Sequence, residues 1–300
     1  MPYQDMRAFL TALKNAGELV EIDRPVAVKY DVAKALARAS AMQGPALMFK
    51  QTGTEFPLVA GVYGNRRLAL MAFEATEQTI HEKVLKGINT PIAPVDFKGT
   101  PPCQEVVLTG DAIDVTKLPV PIYSPKDGGP YITAGIVVSE NLETGVPDIG
   151  NYRMQVHGPK ELGVFSASNH RFGKNIAHAT QMGKQLRGAL VIGVDPLTMY
   201  SCQVQSSDST NDWFVSGGLR GAPVELAKAV TNDMKVPASA EIVIEFTVDT
   251  NSQKVEGPLG EYTGYYTPAS LKPVAQITAI THRKGAIFQG LLTGKPITEN

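Results

Sequence analysis

Four runs dense in β-branched and apolar residues constrain this chain more than any other feature. They are Tyr131-Ile-Thr-Ala-Gly-Ile-Val-Val138, Gly188-Ala-Leu-Val-Ile-Gly-Val194, Glu241-Ile-Val-Ile-Glu-Phe-Thr-Val248 and Gln276-Ile-Thr-Ala-Ile-Thr281. Side chains branched at Cβ lose rotamer freedom in a helix but pack well on a pleated surface, so the runs predict strands. Turn residues separate them, which predicts a sheet or partly open barrel with inserted helices. Pro223-Val-Glu-Leu-Ala-Lys-Ala-Val230 reads as one such helix, and Gly285–Gly294 as a further strand.

The first half has a different rhythm. Asp5 can cap an amphipathic helix carrying Phe9, Leu10 and Leu13 that ends near Gly17. Glu18–Asp23 alternates as a strand, and Asp31 can cap a second helix to about Met42. Short strands at Ala46–Phe49 and Leu58–Gly61 and a helix near Thr76–Lys86 follow. Pro91, Pro94, Pro101 and Pro102 then crowd a stretch that reads as a linker. The expected fold class is α+β. An N-terminal α/β domain over residues 1–115 precedes a sheet-rich domain over residues 116–300.

With 300 residues, 43% of them apolar, the chain can bury a large core. A formal net charge of −1 leaves no basic surplus for nucleic acid or an anionic membrane. Cys103 and Cys202 are too few and too distant for a disulfide framework or thiolate metal site, which points to a reducing cytoplasm. The N-terminus has no apolar signal core, and no run reaches membrane-spanning length. A soluble cytoplasmic protein is expected.

Chemistry concentrates in the second half. Glu256-Gly-Pro-Leu-Gly-Glu261 puts two carboxylates on a loop that cannot be helical, and Tyr262, Tyr265 and Tyr266 follow. Aromatic walls around two such acids would make them titrate apart, one ionised and one holding a proton near neutral pH. A solvated turn with two surface glutamates satisfies the same residues. Phe165-Ser-Ala-Ser-Asn-His170 reads as a strand ending in a histidine. Asp148, His170 and Asp212 form an oxygen and nitrogen set suited to Mn²⁺ or Mg²⁺ rather than structural zinc. Isolated aspartates in turns are usually caps, however, and a lone histidine is usually a satisfied surface or core residue.

In order and spacing, six segments make the chain resemble the UbiD family of reversible decarboxylases, which use prenylated FMN. They are Asp127-Gly-Gly-Pro-Tyr-Ile-Thr133, Ile149-Gly-Asn-Tyr-Arg-Met-Gln-Val156, Ile192-Gly-Val-Asp-Pro196, Gly217-Gly-Leu-Arg-Gly-Ala-Pro-Val-Glu-Leu226, Val236-Pro-Ala-Ser-Ala-Glu-Ile-Val243 and Glu256-Gly-Pro-Leu-Gly-Glu-Tyr-Thr-Gly-Tyr265. The resemblance implies a flavin-binding split barrel as the second domain. It also implies catalytic roles for Arg153, Glu256 and Glu261, with Glu261 the proton donor and Arg153–Glu256 an ion pair. Ile149, Gly150, Tyr152, Arg153, Ser168, Asn169 and His170 would contact the cofactor. The family's metal ligands, an asparagine, a histidine and a glutamate, fall on Asp148, His170 and Asp212. Two of the three are therefore altered. K⁺ ligands would fall around Ser201–Val204.

The same resemblance implies a small carboxylic acid substrate, CO₂ as product, a UbiX-like flavin prenyltransferase as cofactor supplier, and a homo-oligomer. The family's C-terminal domain, with its phosphate-binding lysine, is not expected within these 300 residues. That leaves an alternative role, a partial or non-catalytic subunit that binds flavin or metal and supports a partner chain.

Overall fold

A computed structural model of the chain describes residues 2–294 and residue 299. Helix Met6–Asn15 starts where the Asp5 carboxylate accepts the Ala8 N–H at 2.8 Å, and it buries Met6, Phe9, Leu10 and Leu13. Helix Asp31–Ala41 begins at Asp31 itself; the expected cap does not form, because Tyr30 holds that position and offers no side-chain hydrogen bond. Strands Leu19–Pro25, Ala46–Gln51 and Leu58–Ala60 form the N-terminal sheet, and Phe288–Gln289 joins it parallel to Leu58–Ala60. The expected strand over Gly285–Gly294 thus shrinks to two residues. The helix expected near Thr76–Lys86 lies at Ile80–Asn89.

The larger sheet has nine strands among the described residues. Its path runs Tyr131–Ile132, Met154–Gly158, Glu161–Val164, Ser270–His282, Ile242–Glu256, Leu186–Ile192, Gly135–Glu140 and Pro147–Asn151, and Val106–Thr109 pairs with Ser270–His282 beside it. The end strands of this path are not paired with each other. Yet Asn151, at one end, is joined to Met154 through only Tyr152 and Arg153, and Ile132 to Gly135 through only Thr133 and Ala134. Three Cα steps span at most about 11 Å. The sheet must therefore curl until its ends almost meet, leaving a seam crossed by two short links. Arg153 sits in that seam.

Two further expectations fail. Glu225–Lys228 is a strand, not a helix, paired antiparallel to Lys235–Pro237 and parallel to Val95–Asp96. Leu-Ala-Lys-Ala favours a helix locally, but pairing on both sides with Leu226 and Ala227 buried overrides a weak propensity. That pairing also pins the proline-rich stretch, where Ile92, Val95, Phe97 and Cys103 each donate an N–H to distant backbone. The second failure follows Val164, where the strand stops. His170 then occupies the N-cap of an unexpected helix, Arg171–Gln181, which buries Phe172, Asn175 and Ala179.

Candidate active site

The seam brings a cation and two acids together. Arg153 donates from Nε and Nη2 to the two carboxylate oxygens of Glu256, both at 3.0 Å. Its third nitrogen, Nη1, donates to Oε1 of Glu261 and to Oγ1 of Thr267, the latter at 3.1 Å. The Thr267 hydroxyl in turn donates a hydrogen bond to Glu261 Oε1 at 3.1 Å. Beneath the guanidinium, the Phe165 ring centroid lies 3.9 Å from Cζ, a cation–π contact that leaves the plane's edge free for carboxylates. Glu256 is 0% exposed, Arg153 8% and Glu261 30%. One acid is sealed in and the other borders solvent.

Local geometry explains the placement. Glu256 closes the strand Ile242–Glu256, and a cis Gly257–Pro258 peptide follows. Leu259–Gly260 then pairs with Tyr266–Thr267, so the hairpin register puts Thr267 beside Glu261. The Glu261 N–H meets the Tyr265 carbonyl at 2.9 Å. The expected aromatic walls do not form. Tyr265 is 78% exposed, and Tyr262 and Tyr266 are exposed as well. Only Tyr262 borders a cavity.

The three expected metal ligands line one cavity of about 450 Å³. Inside it the buried carboxylates of Asp148 and Asp212 converge on Arg171, at 3.4 Å from Nε and 2.7 Å from Nη1. Asp212 also accepts the Ile149 N–H at 3.1 Å and the Ser206 hydroxyl, while Asp148 accepts from Ser139 at 3.3 Å. Burial pushes the Asp148 carboxyl up to about 6, against the pull of Arg171. His170 stands at the exposed start of its helix. Among the described residues no three His, Cys, Asp or Glu side chains group closely enough to hold a metal. The donor set as placed does not fit a divalent cation, because an internal cation already uses both carboxylates. Near the expected K⁺ site, the Tyr200 and Ser201 carbonyls accept from Gln203 and Val204.

Of the residues expected at the cofactor, Ile149, Gly150, Tyr152, Asn169 and His170 line the same cavity, together with Arg171, Lys174 and Ser206. Ser168 is exposed on the preceding loop. A second cavity, of about 500 Å³, shares Asn151 and Gln203 with the first. Its walls are mostly apolar: Tyr63, Phe73, Pro196, Met199, Tyr262 and Leu291. Glu299 also lines it, accepts the Gly61 and Tyr63 N–H groups, and is pushed up to about 7 by burial. A mostly polar cavity thus abuts a mostly apolar one through Asn151 and Gln203. Sequence reasoning missed Thr267, Phe165, Arg171 and Glu299, none of which carries a spacing signal.

A family model described as the 3-octaprenyl-4-hydroxybenzoate carboxy-lyase Rift-related domain matches residues 95–296, and one for the N-terminal domain of that carboxy-lyase matches residues 10–88. The UbiD-class enzyme HmfF from Pelotomaculum thermopropionicum, in an evolved dimeric form complexed with prFMN, is 31% identical with a TM-score of 0.92 over 97% of this chain and 68% of its own. Vanillic acid decarboxylase from Sedimentibacter hydroxybenzoicus, in closed form, is 28% identical with a TM-score of 0.96 over 100% of this chain and 66% of its own. The apo 3,4-dihydroxybenzoic acid decarboxylase from Klebsiella pneumoniae is 27% identical with a TM-score of 0.89 over 96% of this chain and 65% of its own. The chain thus spans about two thirds of the length of these relatives. With both family domains matched in sequence order, the chain belongs to the UbiD carboxy-lyase family.

Proposed function

We propose that the protein catalyses reversible, non-oxidative decarboxylation of an aromatic, heteroaromatic or α,β-unsaturated carboxylic acid, with prenylated FMN as cofactor. The observation that carries this reading is one guanidinium shared by a sealed and an open carboxylate, beside a cavity bordered by Asn151 and Tyr262. When bound, prenylated FMN supplies the electron sink that loss of CO₂ requires and that no side chain provides. Arg171 and Lys174 would meet its phosphate. A divalent cation at Asp148 and Asp212 would first have to displace Arg171. Supply of cofactor by a UbiX-like prenyltransferase and assembly as a homo-oligomer belong to the same reading.

The residues divide the work. Glu256 holds Arg153 through two parallel hydrogen bonds, which fixes the plane of the guanidinium. Nη1 is the movable donor. An incoming substrate carboxylate competes for it and releases Glu261, which then takes up a proton and delivers it to the carbon left by CO₂. In the carboxylation direction the same oxygen removes that proton. Thr267 keeps Glu261 within reach throughout.

The test is production of the chain with a flavin prenyltransferase, followed by native mass spectrometry, a UV–visible spectrum and a screen of unsaturated acids. Glu261→Gln should keep bound flavin and lose turnover by roughly 100-fold or more. Undiminished turnover in that variant would remove Glu261 from the chemistry. A loaded wild-type chain that turns over no acid alone, but activates a partner, would favour the subunit role.

A further inference from the structure

The segment Asp127-Gly-Gly-Pro130 touches neither cavity, yet it grips the loop that carries both acids. Asp127 Oδ1 accepts the N–H of Gly260, the residue before Glu261, at 3.0 Å. Its Oδ2 accepts the N–H of Ser124 at 2.7 Å, so the carboxylate bridges two loops. One residue on, the Gly128 N–H donates to the Pro258 carbonyl at 2.8 Å. A Cβ at Gly128 would stand 2.2 Å from the Gly257 carbonyl oxygen, so only glycine lets the strands of chain lie this close. Gly257, the residue after Glu256, donates to Gln155 Oε1 at 3.0 Å, and Tyr131 donates to that same oxygen at 3.1 Å. The main chain flanking each acid is therefore tied to the 124–131 segment or to its strand neighbour.

We infer that Asp127 is a positioning residue for the proton donor: it fixes the Gly260 amide, and through it the reach of Glu261 to Arg153 and substrate. This deepens the decarboxylase reading and rests on it for its kinetic consequence. A general base or acid displaced by about 1 Å loses up to about 100-fold in rate while its ligand still binds. Nothing in Asp127 itself needs to touch substrate. Burial raises the Asp127 pKa above its ordinary value, against the pull of the Gly260 and Ser124 amides and, last, of Arg153.

The experiment compares full-length, cofactor-loaded wild type with Asp127→Asn and Asp127→Ala. Asn keeps one acceptor and turns an NH₂ toward the other amide, and Ala keeps none. Expected are a kcat lowered roughly 10- to 100-fold with KM and bound flavin little changed, a smaller loss for Asn than for Ala, and faster deuterium uptake in peptides spanning 257–262. Unchanged kcat in both variants, or unchanged uptake in those peptides, overturns the proposal. So does a kcat loss matched by loss of flavin in both, which would make Asp127 general scaffold. If loaded wild type decarboxylates no acid, the decarboxylase reading fails and the exchange result alone decides on the clamp: faster uptake supports it, unchanged uptake overturns it.

Discussion

Arg153 uses all three of its guanidinium nitrogens, and the partners explain which residues could be foreseen. The arginine and its two acids were legible because their types and order match a family pattern around a loop that must bend. Thr267 and Phe165 were not. A lone threonine or phenylalanine announces nothing until the hairpin register and the strand end at Val164 are known. Arg171 was hidden by its neighbour His170, which drew the ligand reading. On the far side of Glu256 lies His157, whose ring packs over Gly163 with a buried Nε2 that has no hydrogen-bond partner. Burial, then Lys254, hold its pKa below the ordinary 6.5, against the opposite pull of Glu161 and Glu256. The folded state therefore binds fewer protons than the unfolded state just below that pH. The contribution of His157 to stability falls as pH drops through 6.5 and the window beneath it. His157→Gln should flatten that slope, as measured by urea midpoints across a pH series.

At the scale of elements, helix Asp212–Arg220 shows how backbone contact fixes a side chain. It crosses Ile80–Asn89 with almost nothing between them: a Cβ at Gly218 would lie 2.2 Å from the Gly87 carbonyl oxygen and 2.7 Å from that of Thr90. Asp212 begins this helix, so the crossing sets where its carboxylate meets Arg171. Gly218→Ala should cost about 1–3 kcal/mol through overpacking, seen as a lower denaturant midpoint with an unchanged slope. The strand Ile242–Glu256 was legible from its β-branched run only as far as Val248. Short ones were not. Glu225–Lys228 became a strand only because the proline-rich stretch and Lys235–Pro237 lie alongside it, a fact no window of local sequence contains.

Across the whole molecule, one buried acid joins distant parts. Glu241, 0% exposed, accepts from Arg7 at 2.7 and 2.8 Å, from Arg283 at 3.4 Å and from the Ile287 N–H at 3.0 Å. It thereby ties the first helix to the large sheet and to the chain that returns toward the N-terminal sheet. Glu241→Ala leaves two cations facing an empty buried site. It should lower unfolding stability by about 3–5 kcal/mol, read from equilibrium denaturation. The seam has a consequence in time rather than space. Glu256 and Glu261 are neighbours on one hairpin, but Arg153 is 103 and 108 residues away from them in the chain. Closing so long a loop carries an entropic cost that only a nearly complete sheet can offset. A refolding chain should thus protect the Leu186–Ile192 amides before those of Gly257 and Gly260, an order that pulse-labelled exchange would check. On that expectation the two acids wait for their cation, whose arrival would mark the completion of the fold.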